Sequence, residues 1–242
     1  MKASPSDQKS ILDIQRFDQE SATLNHKAAK LPEIGEIAST TIKQNNARDL
    51  RIAAETELSD VKRELLRADV DVEQIVSRIT RDESRLSSGS ATPKELEQLQ
   101  HEVGTLGARR SELEEVELEI MMRVDDIKDR ICALQGEEVA HAASIMELEI
   151  CKENALAAIY SKLDSITKER SEMVASIEKA FYELYEKVRA ANNGTGAAAL
   201  SGAQCLGCHL PINAGELKRI TELLDDEVVR CEECRCILVR AK

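Results

Sequence analysis

Apolar residues recur at alternating spacings of three and four from Leu58 to Leu86: Leu58, Val61, Leu65, Ala68, Val72, Ile75, Ile79 and Leu86, with Asp82 the one polar residue on the stripe. Charged residues flank it. This is the a/d seam of a coiled coil. A second seam runs through Leu96, Leu99, Val103, Leu106, Arg110, Leu113, Glu117, Ile120, Val124, Ile127, Ile131 and Leu134. Only Arg110 and Glu117 interrupt it, so chance is a poor explanation. Those two either fix the register by pairing across the seam or stand in solvent. Between the seams lies SSGSATPKEL. Ser and Gly stop the first helix, Thr92 fits the N-cap of the next, Pro93 its first position and Glu95 its third. A short turn at about residues 87–92 therefore folds the second helix back on the first as an antiparallel hairpin.

The pattern also predicts a bend. Pro32 and Gly35 interrupt the outgoing helix, and the returning heptads lose their rhythm in LQGEEVAHAAS. By mirror arithmetic about the turn these places face each other, so a kink is expected at about 32–36 and 134–146. The arm beyond it has about 55 residues per helix, roughly 80 Å at 1.5 Å per residue. Residues 6–31, with Ile14, Phe17, Leu24 and Leu31, are expected to pack below the kink. The returning helix resumes at Ile145 and Leu148 and ends near Asn192–Gly196. Phe181, Tyr182 and Tyr185 lie just before that end. They suit a docking surface for whatever follows, with ordinary seam packing as the plain alternative.

Composition agrees with this picture. The 242 residues contain no Trp, two Phe and three Tyr, and about a third are charged. A chain so poor in aromatics does not build a large rounded core. Its net charge of −12 opposes non-specific binding to nucleic acid or anionic membrane. No apolar run approaches the ~18–20 residues of a membrane span, and MKASPSDQKSILDIQRFDQE lacks the apolar core of a signal peptide. A cytoplasmic protein without membrane insertion is expected. In that compartment paired cysteines point to metal or redox chemistry.

Cys205 and Cys208 form one C-x-x-C, and Cys231 and Cys234 form another. Two such knuckles can bring four thiolates to one tetrahedral ion. The redox alternative needs a βαβ setting, which the sequence lacks. One structural Zn2+ is the cofactor this spacing predicts, held by those four cysteines in a small β zinc ribbon of about residues 198–242. The tail is too short to bury a self-sufficient core, so the metal is expected to supply much of its folding free energy. Cys236 follows Cys234 by two residues, where a strand begins; it reads as a non-ligand beside the site, with replacement of a partner as the lesser alternative. His209, directly after Cys208, reads as a neighbour of the site. Cys132 and Cys151 read as idle helix residues. Four cysteine ligands leave no position for water, and no phosphate loop, serine elbow or His–carboxylate set is present, so no enzyme is expected.

With TPKELEQLQHE at the tip, CLGCHLPI at the first knuckle, then GELKRI and DEVVRCEECRCILV, nearly the whole chain resembles a bacterial family of long coiled-coil hairpins ending in a C4-type zinc ribbon. The family was long described as a domain of unknown function. The resemblance implies zinc ligands at Cys205, Cys208, Cys231 and Cys234. It implies an adaptor, since some family members are implicated in flagellar or secretion regulation through RNA or protein partners. After the last ligand the family continues with Gly-Arg, whereas Arg235 and Cys236 stand here.

The expected fold is thus mostly α: a kinked antiparallel coiled-coil hairpin over residues 1–197, then the ribbon. The expected function is a non-enzymatic adaptor that binds a protein and/or nucleic-acid partner through the ribbon and the coil base. The alternatives are an RNA- or DNA-binding regulator using a basic ribbon face, and an architectural or chaperone-like coil. Residues 203–242 carry six Lys/Arg against seven Asp/Glu, so nucleic-acid binding requires the basic residues to be gathered on one face. The candidate contact residues are Lys218, Arg219, Arg230, Arg235 and Arg240, with Lys242 beyond them, and Phe181, Tyr182 and Tyr185. Monomer and homodimer both satisfy the seam.

Overall fold

The computed structural model describes residues 1–89 and 92–240. Four helices come first: α1 Pro5–Ala29, α2 Pro32–Ser87, α3 Pro93–Ser176 and α4 Lys179–Ala191. Then follow β1 Ala197–Ser201, β2 Gln204–Cys205, α5 Ala214–Glu222, β3 Val229–Arg230 and β4 Ile237–Arg240. The contacts divide the chain into two compact units, Gly35–Glu149 and Met1–Ile34 with Ile150–Lys242.

The unit over Gly35–Glu149 is the antiparallel hairpin. Ala54, Val61, Ile120, Val124 and Ile127 form its buried seam, with Leu58, Leu65, Ala68 and Ile131 packed against them. Arg51 pairs with Glu138 at 2.6 Å and Arg123 with Glu64 at 2.6 Å; Arg130 pairs with Glu57 and Arg78 with Glu102. All four join a residue of α2 to one of α3. The two polar seam residues of α3 do not make such cross-links. Arg110 reaches Glu114 one turn on in its own helix, while Glu117 meets another carboxyl, Asp69 of α2, which raises its pKa by hydrogen bonding.

At the tip, Glu95 accepts hydrogen bonds from both the N–H and the hydroxyl of Thr92, each 2.7 Å. The carboxylate half of the capping box is present; the Thr92 hydroxyl serves as donor to Glu95. Ser90 and Ala91 of the expected turn lie outside the described residues. The outgoing helix breaks at Lys30–Leu31, just before Pro32. The returning helix α3 is unbroken through 134–146 and breaks instead at Ile177–Glu178.

In the other unit, a four-stranded sheet of order β2-β1-β4-β3 lies between two apolar layers. β1 and β4 pair in parallel, Ala197 opposite Ile237 through Leu200 opposite Arg240, and each is flanked by an antiparallel neighbour. Each knuckle belongs to its own antiparallel pair of strands, and the parallel β1–β4 pairing already joins these pairs before any metal does. Successive strand residues point to opposite faces, and β4 shows it. Ile237 and Val239 pack with Ile11, Ile14, Phe181 and Tyr185 of the helices and with Ile177 at the α3–α4 break. Cys236 and Leu238 pack on the other face, with Ile220 of α5, Cys205 and Cys231. The ribbon thus shares a core with α1 and α4.

Two buried glutamines of α1 complete that attachment. Gln15 Oε1 accepts from the N–H groups of Gly196 at 2.6 Å and Ala197 at 3.2 Å, and its Nε2 donates to Gly194 O at 2.9 Å. Gln8 Nε2 donates to the carbonyls of Ala3 and Asp225. Residues 1–3 run beside the segment before β3: Ala3 N–H donates to Asp226 O and Val228 N–H to Met1 O. Gly196 has no alternative residue, because a Cβ there would lie 2.5 Å from the Tyr185 ring.

Candidate metal centre

Both knuckles are built alike. The first begins at the end of β2, and His209 N–H donates to Cys205 O at 2.8 Å; the second joins β3 to β4, and Arg235 N–H donates to Cys231 O at 3.0 Å. In each, the residue after the second cysteine takes a left-handed backbone, φ 60° at His209 and φ 62° at Arg235. Gly207 N–H also points to Cys205 Sγ, 3.4 Å away. The Cys231–Cys236 hairpin is closed by Cys231 N–H donating to Cys236 O, and Asn192, at the end of α4, donates through Nδ2 to Cys234 O.

These turns bring Cys205, Cys208, Cys231 and Cys234 together, all four sulfurs within 4.8 Å of one another. Cys205–Cys234 and Cys208–Cys231 are each 3.9 Å apart. A tetrahedral ion with metal–sulfur bonds of about 2.3 Å requires sulfurs separated by about 3.8 Å. The donor set therefore fits a four-coordinate metal ion, and no cysteine of the cluster is in a disulfide. Cys205 and Cys231 are buried, while Cys208 and Cys234 are half-buried. Burial pushes the Cys234 thiol up to about 12, and the Cys236 thiol is pushed higher still for the same reason. Without a cation this pocket disfavours thiolate; a bound divalent ion reverses that preference. His209 is exposed, with its carbonyl bonded to Gln204.

Cys236 is fully buried, with its sulfur 3.1 Å from that of Cys234 and 3.6 Å from that of Cys205. The left-handed turn at Arg235 places it there, on the same sheet face as the four-sulfur cluster.

The expected contact residues separate into three groups. Phe181 and Tyr185 are fully buried against Ala197, Ile237 and Val239 of the sheet: they are the docking surface for the segment that follows, and the expectation that they also face a partner is corrected. Tyr182 is half-buried, its hydroxyl donating to Glu186 at 2.7 Å and accepting from Arg170. Arg170 and Arg189 both pair with Asp18, whose carboxylate also accepts from Tyr185 at 2.6 Å. Burial, then the bond to Asp18, drives the Tyr185 pKa strongly up. The aromatic cluster is thus the joint between α1, α3, α4 and the ribbon; of the partners of its hydroxyls only Glu186 lies within a turn in the sequence, while Gln15 and Asp18 come from α1 at the other end of the chain.

Arg240 is the second correction. Its guanidinium donates to the carbonyls of Ile220, Leu223, Leu224 and Glu227 at 2.6–3.2 Å, so it closes the C-terminal end of α5. Arg219 is exposed but held by Glu216. Lys218 lies 3.9 Å from Glu222. Arg230 and Arg235 are exposed, with Arg230 Nε donating to Arg235 O at 2.9 Å. Lys242 lies outside the described residues. Among the described residues no helix is long and apolar enough to cross a membrane.

The sequence contained unused signals for some of these positions. Asn213 caps α5, accepting from Glu216 N–H at 2.8 Å, and Ser4 caps α1, accepting from Asp7 N–H at 3.0 Å. Both follow the spacing of a polar cap before an acidic first turn. Gln15 and Gln8 had no such signal, because Gln15 bonds groups of Tyr185 and residues 194–197, and Gln8 reaches Asp225, all far along the chain.

Residues 14–193 match the CT398-like coiled coil hairpin domain. An uncharacterized protein of Mycobacterium tuberculosis is 33% identical over 244 residues, covering 99% of this chain and 98% of that protein. A protein structure from Mycobacterium smegmatis superposes with a TM-score of 0.83 at 30% identity, over 99% of this chain and 100% of the other. CT398 from Chlamydia trachomatis, at 18% identity and 98% coverage of both chains, has a TM-score of 0.66 and shares the fold. On the hairpin match and the full-length mycobacterial similarity together, the chain belongs to the CT398-like coiled coil hairpin family.

Proposed function

We propose that the chain is a non-enzymatic adaptor of the cytoplasm, with one structural zinc ion at Cys205, Cys208, Cys231 and Cys234, and that its ligand is a protein. The observation that carries this reading is the four-sulfur cluster, all within 4.8 Å of one another and with two edges of 3.9 Å. Zinc is the ion that four cysteine thiolates in paired knuckles most often hold, and a closed set of four serves structure rather than hydrolysis. The zinc stiffens two exposed loops, and the second presents Arg230 and Arg235 beside Glu232 and Glu233. A mixed-sign surface of this kind suits a protein partner. Phosphate binding is less favoured, since Arg240 is spent on carbonyls and Arg219 on Glu216.

Freshly purified protein should contain one zinc per chain, and Cys205→Ser/Cys231→Ser should contain none. A metal-free wild type, or a zinc-loaded double variant, overturns the zinc assignment. For the adaptor, affinity capture with the full chain should recover a protein partner that survives nuclease treatment and is lost with Arg230→Glu/Arg235→Glu. Capture that disappears with nuclease favours the nucleic-acid reading, and capture indifferent to both arginines removes the ribbon loop as the contact.

A further inference from the structure

A fifth sulfur lies beside the four-cysteine cluster, outside the set that is mutually within 4.8 Å. Cys236 is fully buried, so its thiol has no solvent role, and its sulfur approaches those of Cys205 and Cys234. The 3.6 Å to Cys205 is close to the edge of a metal–thiolate tetrahedron, about 3.8 Å. The 3.1 Å to Cys234 is well short of such an edge, so the two sulfurs crowd one corner. The backbone keeps both there. Arg235 turns left-handed between them, the Cys231 N–H bond to Cys236 O closes the hairpin, and Gly207 stands close opposite: a Cβ there would press on Cys236 Sγ at 3.3 Å and Ala198 Cβ at 3.0 Å. Cys234 is the half-buried member of the pair and Cys236 the sheltered one.

We infer that Cys236 is a reserve ligand, interchangeable with Cys234 at the fourth corner of the metal centre. The inference rests on the four-cysteine reading above. In the exchange Cys236 would swing its sulfur toward the other three ligands, and the metal–sulfur bond to Cys234 would break as the bond to Cys236 forms. Cys236 gives up its thiol proton and the released Cys234 thiolate takes it, across the short gap between them. The exchange therefore conserves charge, protons and coordination number, and it needs no oxidant. Its consequence is a centre that keeps its ion when the more exposed cysteine is lost to substitution or alkylation.

The test uses the full chain loaded with Co2+, whose charge-transfer absorbance reports how many thiolates bind, and zinc transfer to a chelator as a rate. Wild type and Cys236→Ser should each show four thiolates. Cys234→Ser should also show four, through Cys236, and Cys234→Ser/Cys236→Ser should show three. Zinc release from Cys236→Ser should be faster than from wild type by about tenfold, the lower end of the effect of removing a group that supports metal ligands. A three-thiolate spectrum for Cys234→Ser overturns the inference, as does loss of the metal from Cys236→Ser, which would make Cys236 an obligatory ligand. Should Cys234→Ser fail to fold, the release rate of Cys236→Ser decides: an unchanged rate overturns the inference. A wild type that takes up no cobalt through four thiolates instead defeats the underlying metal reading.

Discussion

Arg235 and His209 take a backbone conformation that suits glycine, φ 62° and 60°. A left-handed L-residue costs roughly 1 kcal/mol relative to glycine. The knuckle needs that turn, because it aims the N–H of the residue after the second cysteine at the carbonyl of the first. Arg235→Gly should therefore raise the stability of the metal-loaded protein by about 0.5–1 kcal/mol, measured as a shift in chemical denaturation midpoint. No gain would mean that the Arg235 side chain contributes stabilising contacts of its own. A chain that retains arginine at a strained position in place of glycine is consistent with a use for that side chain at the surface. The same variant assayed for partner capture separates the two effects.

At the scale of elements, α5 and the hairpin each depend on a polar residue with a defined role. α5 has nine residues, too few to persist by helix propensity alone. It is held by Asn213 at one end, Ile220 in the core and Arg240 at the other. Truncating Arg240 leaves several carbonyls of one helix end without their donor. Arg240→Ala should cost about 1.5–3 kcal/mol, the range for hydrogen bonds to a charged group, read by thermal or denaturant unfolding of the full chain. In the hairpin, Glu117 and Asp69 set carboxyl against carboxyl. The pKa of Glu117 is raised from 4.5, first by its hydrogen bond with Asp69, then by burial and by the charge of Asp69. A raised acid is more easily protonated in the folded state. Its contribution is fully present below the unfolded value near 4.5 and is lost as pH rises through the folded value. At pH 7 the pair is two like charges, unfavourable by a few tenths of a kcal/mol. Glu117→Gln should stabilise the hairpin by about 0.3–0.5 kcal/mol at pH 7 and flatten the decline as pH rises through the raised folded value. Equal pH profiles for wild type and variant would show that the carboxyls do not communicate.

For the whole molecule, the two compact units differ in what sustains them. The unit Gly35–Glu149 is held by a continuous apolar seam and cross-helix ion pairs, and it contains none of the metal-site cysteines. The other unit places the sheet between the four-cysteine layer and the helical layer of Ile11, Ile14, Phe181 and Tyr185. With the proposed ion bound, its removal by a strong chelator should therefore be felt throughout that second unit. Hydrogen exchange should lose protection across 197–240 and also in α1 and α4, while the seam around Val61 and Val124 keeps its protection. Protection lost only at the knuckles would show that the shared core holds the sheet without its metal.

Several features are properties of the sequence itself. A heptad stripe is a local regularity, so the hairpin and its two arms could be read from Leu58–Leu134. The tip was legible in TPKE because caps act within one turn, and the four sulfurs were legible because a C-x-x-C knuckle is a local turn repeated. Tertiary structure decided the rest, wherever a group's partner lies far along the chain. The aromatic trio looked available because Gln15 and Asp18, about 170 residues away, gave no sign that they bind Tyr185. Arg240 looked like a surface cation because the four carbonyls that it caps are spread over Ile220–Glu227. The α3–α4 break at Ile177–Glu178 carries no proline or glycine, and only the packing of Ile177 and Phe181 against the sheet accompanies it. Cys236 shows the division most clearly. Its number in the sequence places it next to a ligand, but only the left-handed turn at Arg235 and the parallel pairing of β1 with β4 put its sulfur against both Cys234 and Cys205.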